Sequence, residues 1–160
     1  MALNIERMKK NSLIALYFIT VLGFLLDSYL YYPGFISPDS LDQYTQAITH
    51  NFNDWHPPIM AGFWSILLTI KYGSDLMVFF QFLFYWSSFL ILGKVLIRYS
   101  VYSIFIISFF FLAPFMQNFV GNIWKDIGLA ISWLFALALI INALLDKRKL
   151  NWLECILTLL

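Results

Sequence analysis

The chain has 160 residues, 61% of them hydrophobic and 12% charged, against roughly 25% charged in soluble domains. That composition excludes a soluble domain, and the ten Lys and Arg that balance nine Asp and Glu to a net charge of +1 exclude a basic nucleic-acid surface. The single cysteine, Cys155, excludes an internal disulfide framework and a Cys-based zinc cluster.

The composition predicts an all-α, polytopic transmembrane helical bundle whose first solvent is the lipid bilayer. The first span runs over Leu13–Leu30, after Arg7, Lys9 and Lys10, and reads as an uncleaved signal anchor because no small-x-small cleavage site follows. Residues 31–75 form an external loop. Within it, Ile59–Ile70 is apolar but twelve residues long, short for a crossing and suited to an interfacial helix. Further spans are predicted at Leu76–Ile97, Val101–Phe119 and Ile127–Leu145, and an apolar segment starting at Trp152 has nine residues. With the short segment left uncrossed, eight of the ten cations fall on one side, leaving only Lys71 and Lys125 opposite. The positive-inside rule then sets the N-terminus in the cytoplasm. Tyr29, Tyr31, Tyr32, Trp55, Trp64, Tyr72 and Trp124 fall near the outer boundary as an aromatic belt.

The loop carries Asp39, Asp42, Gln43, His50, Asp54 and His56, with no Lys or Arg between Asp39 and His56. Ser37-Pro38-Asp39 is an ordinary helix start, with a capping Ser, Pro at the first position and an acid in the first turn. The same Asp39 is also a water-facing carboxylate that could take a proton or meet a cation. Leu41, Tyr44 and Ile48 give the following helix an apolar stripe suited to lying on the membrane. In Asp54-Trp55-His56-Pro57-Pro58 the prolines can open the next helix, and a fixed His beside a carboxylate can hold phosphate. The two-residue spacing is not that of a helical zinc pair, and His50 is expected to face solvent. At the second external turn Asp126 can cap the fourth span while Lys125 snorkels to a lipid phosphate. Asp27, inside the first span, requires a partner or a role. Gln81 and Asn142 suit interhelical hydrogen bonds.

In order, Tyr32-Pro33-Gly34, Ser37-Pro38-Asp39-Ser40, Gln43 and Asp54-Trp55-His56-Pro57-Pro58 after a signal anchor resemble the first loop of the GT-C superfamily of integral-membrane glycosyltransferases. The branch resembled is that of protein O-mannosyltransferases and lipid A aminoarabinose transferases. The resemblance implies transfer of a sugar, with inversion, from a polyprenyl-phosphate donor to an acceptor hydroxyl on the external side. Asp39 would be the general base, and Asp126 a second acid that orients substrate or binds a divalent cation, Mg or Mn. Lys125 would offset the charge of the departing phosphate, and His56, Asp54 and Gln43 would contact substrate. One Asp followed by Ser stands where the pattern has paired acids. The resemblance further implies that this sequence is the N-terminal part of a longer protein, inactive by itself, and the compact loops without glycosylation sequons point to a bacterial inner membrane. The competing reading is a non-enzymatic accessory or assembly protein that binds lipid or protein through its external loop. A small transporter fits less well, because the ionisable groups gather at the boundary and not at mid-span.

Overall fold

A computed structural model describes residues 2–55 and 58–159. Among the described residues the fold is all-α: α1 (Ala2–Tyr31), α2 (Pro38–Thr49), α3 (Pro58–Leu68), α4 (Asp75–Tyr99), α5 (Ser103–Leu112), α6 (Pro114–Val120), α7 (Lys125–Leu145) and α8 (Trp152–Leu159). Three helices, α1, α4 and α7, are long and apolar enough to cross a bilayer. At 1.5 Å per residue each exceeds the roughly 30 Å hydrocarbon thickness.

The centre of the bundle is α4. Against it α1 runs antiparallel, so Lys9 meets Arg98, Leu16 meets Gly93, and Gly23 and Asp27 meet Trp86. Small residues allow this approach. A Cβ on Gly93 would stand 2.9 Å from Leu16 Cδ2, and one on Gly23 would stand 2.7 Å from Trp86 Cζ3. The partner that Asp27 requires is Trp86, whose Nε1 donates to Asp27 Oδ2 at 2.8 Å.

The third long helix, α7, runs parallel to α4. Phe84 stacks on Phe135 with ring centroids 5.0 Å apart, and Arg98 pairs with Asp146 at the far end. Both expected interhelical amides are used: Gln81 Nε2 donates to the carbonyls of Val120 at 2.6 Å and Asn122 at 3.0 Å, and Asn142 Oδ1 accepts from Arg98 Nη2 at 3.4 Å.

The stretch expected to form one span over 101–119 is two helices, α5 and α6, which together are long and apolar enough to cross but are bent by 51°. The cause is Pro114, which has no N–H to donate and opens α6 as a fresh helix. At the break the Phe111 carbonyl accepts from the Tyr85 hydroxyl at 2.6 Å and from Gln117 Nε2 at 2.9 Å. Those side chains satisfy a backbone oxygen that the bilayer could not.

Two surface expectations also change. Trp64 is buried core and not belt, with Nε1 donating to the Gly73 carbonyl at 3.1 Å. Tyr31 is half-buried against Phe82 and Gly121. On α2 the packed face consists of Ser40, Gln43, Gln46 and Ala47, leaving Leu41 and Ile48 exposed.

Candidate functional site

The end of the bundle opposite Lys9 and Arg98 collects the residues singled out in the loops. The chain leaves α1 through Gly34, whose φ of +100° suits glycine. It then lays Phe35 beside Asn122 in a short parallel bridge, closed by Phe35 N to the Gly121 carbonyl at 2.9 Å and Ile123 N to the Phe35 carbonyl at 3.0 Å. Ser37 and Ser40 form a reciprocal capping box at the start of α2. The Ser40 hydroxyl also donates to the Ile123 carbonyl. That contact joins positions 83 apart in sequence. It brings the first turn of α2, with Asp39, to the segment that leads directly into Lys125 and Asp126.

Asp39 is exposed in that first turn. Asp54 is exposed in the loop before α3. His56 lies outside the described residues. Asp126 does not cap α7 as its position suggested: the cap position is Trp124, with no side-chain bond, and Asp126 stands in the first turn. A carboxylate there still complements the positive end of the helix. His50 closes α2 in a left-handed conformation and is exposed.

Gln43 differs from its neighbours. It is 1% exposed, and neither its amide nitrogen nor its amide oxygen has a hydrogen-bond partner. A buried amide left unpaired in this way costs about 1–3 kcal/mol.

Below Lys125 and Asp126 a groove of about 290 Å³ lies between α3, α4 and α7. Its walls are Ile59, Met60 and Phe63 of α3, Met77, Phe80 and Phe84 of α4, and Leu129 and Ile131 of α7, with Gln81 and Ser132 as further polar lining. Apart from its own stretch of helix, nothing lies within 4 Å of a Cβ placed on Gly128, so the groove is open at that position. Lys125, Gly128, Leu129 and Ser132 follow the i, i+3, i+4, i+7 rhythm of one helix face. That spacing was the available sequence signal for the groove. The aromatic walls of α4 had none, because α4 is apolar all round.

In the turn before α4, Lys71 pairs with Asp75, and this hydrogen bond holds the ammonium proton more tightly than usual. Among the described residues no three His, Cys, Asp or Glu side chains converge on a metal position. No protein-family model, curated protein or solved structure matches this chain.

Proposed function

We propose that the chain forms the donor-binding and acceptor-activating face of an integral-membrane glycosyltransferase that uses a polyprenyl-phosphate sugar. In this reading it sits in a bacterial inner membrane with its N-terminus cytoplasmic. The observation that carries it is the apolar groove headed by Lys125 and Asp126. An isoprenoid chain is apolar and its phosphate anionic, so one ligand would match both parts of this surface. The tie from Ser40 to Ile123 supports the same reading, because it holds Asp39 at that end of the bundle.

In the proposed reaction the acceptor hydroxyl loses its proton to Asp39 as its oxygen attacks the anomeric carbon. The bond from that carbon to the phosphate oxygen breaks on the opposite face, and the electron pair leaves with the polyprenyl phosphate. Lys125 and the positive end of α7 oppose the charge that develops there. Asp126 orients the substrate and is the carboxylate that would hold Mg or Mn, which would supply positive charge toward the phosphate. His56 and Asp54 are assigned to the sugar and acceptor.

The test is retention of undecaprenyl phosphate by the purified protein in nanodiscs, read by native mass spectrometry. Lys125→Ala should weaken retention about tenfold, the effect of removing one charge-assisted contact. Leu129→Trp, which fills the groove, should weaken it as well. Equal retention by all three proteins overturns the reading. In membranes of cells expressing the gene, Asp39→Asn should abolish sugar transfer and preserve insertion; retained transfer leaves Asp39 a helix-start residue only.

A further inference from the structure

The opposite end of the bundle holds a second cleft, of about 340 Å³, between α1 and α4. It is lined by Leu13, Tyr17 and Ile97 as an apolar floor and by Lys9, Lys94 and Arg98 as a cationic rim. The rim is held in place. Lys9 Nζ donates to the Arg98 carbonyl at 3.0 Å, and Lys94 Nζ lies 4.8 Å from the centroid of the Tyr17 ring. Carboxylates on the surrounding elements neutralise Arg98 of the rim and leave its two lysines. Asp146, beyond α7, is taken by Arg98 and lies 3.9 Å from Arg148, while Glu154 of α8 is taken by Arg148. Glu6 of α1 is exposed and does not line the cleft. Among the described residues neither Lys9 nor Lys94 has an ion pair. Two positive charges therefore face a half-apolar cleft at a span end.

We infer that this cleft binds one anionic phospholipid, its phosphate between Lys9 and Lys94 and an acyl chain along Leu13 and Tyr17. Charge complementarity selects the headgroup, as basic pockets between membrane helices do. The floor selects a lipid over free phosphate, because Leu13 and Tyr17 continue into the exposed apolar face of α1 formed by Ile14, Phe18, Val21 and Leu25. An acyl chain on that face stays in hydrocarbon along its length.

The experiment is native mass spectrometry of the purified protein titrated with phosphatidylglycerol, and separately with soluble glycerol phosphate. Lys9→Ala with Lys94→Ala should weaken phosphatidylglycerol binding at least about tenfold, on the scale expected for two surface cations. Lys147→Ala with Lys149→Ala removes the same charge outside the cleft and should leave binding unchanged. Leu13→Trp fills the floor at constant charge and should weaken binding too, and glycerol phosphate should not compete. Equal loss in both lysine pairs would reveal a general charge effect and overturn the site. Unchanged binding in the Lys9/Lys94 pair, or in Leu13→Trp, overturns it also. Competition by glycerol phosphate would overturn the lipid assignment.

Discussion

Gly23 is the position where one methyl group should do most damage to the bundle. Its Cβ would stand 2.7 Å from Trp86 Cζ3 and closer still to Cη2 and Cζ2. Carbon atoms in contact prefer about 3.5–4.0 Å, so at the nearest ring carbons α1 and α4 would have to part by roughly 1.5 Å. Trp86 cannot simply turn aside, because its Nε1 donates to Asp27 at 2.8 Å and its ring is 1% exposed. Overpacking of this kind costs about 1–3 kcal/mol. Stretching the bond to a buried carboxyl adds about 1–3 kcal/mol. Gly23→Ala should therefore lose about 2–6 kcal/mol, a large share of a typical 5–15 kcal/mol stability. Denaturation in detergent micelles, followed by tryptophan fluorescence, measures the loss. Trp86→Phe is destabilising by itself, since it orphans Asp27 and leaves a void, but it removes the obstructing ring. In that background Gly23→Ala should cost at least 1 kcal/mol less than in the parent, a coupling the double-mutant cycle reads directly. Additive losses, or an unchanged Gly23→Ala protein, would refute the reasoning.

Gln43→Leu should stabilise the protein by up to about 1–3 kcal/mol by removing two unpaired buried polar atoms; thermal unfolding measures it, and a loss of stability would show that the amide is satisfied. A cysteine at exposed Asn51 should react with an impermeant reagent added outside cells, and one at exposed Ser100 should not; the reverse pattern would invert the proposed orientation. Ser40, buried at 1%, would be a poor site for such a probe. At α8, Arg148 holds Glu154 through two bonds of 2.6 and 2.7 Å, Glu154 Oε2 accepts from Asn151 N, and together they lower its pKa to about 2. A depressed carboxylate contributes stability that is complete above the unfolded carboxylate value and is lost as pH falls toward the folded one. Protection of the amides at the start of α8, read as the exchange rate relative to an unstructured peptide at the same pH, should therefore fall between about pH 4.3 and pH 2, and Glu154→Gln should abolish that dependence.

The membrane helices α1, α4 and α7 were legible because crossing a bilayer imposes a length and an apolarity that any window of sequence displays. The start of α2 was legible for a local reason: Ser37 and Pro38 suit the two ends of a helix's first bond and nothing beyond them. The bend at Pro114 was only half legible. Proline announces a lost donor, but whether the span stays straight depends on what receives the freed backbone, and here Tyr85 and Gln117 supply the Phe111 carbonyl. Long-range pairings were not legible at all. That Asp27 needed a partner followed from burying a carboxyl in hydrocarbon; that the partner is Trp86, 59 positions away, followed from the antiparallel register of α1 on α4. The same is true at the candidate site. Asp39, Lys125 and Asp126 could be named from residue type and spacing, while the tie from Ser40 to Ile123 and the groove beneath Lys125 exist only once α3, α4 and α7 have packed. Local chemistry fixes which groups are present, and tertiary packing decides which of them face one another, because helices apolar on every side carry no mark of the face they will bury.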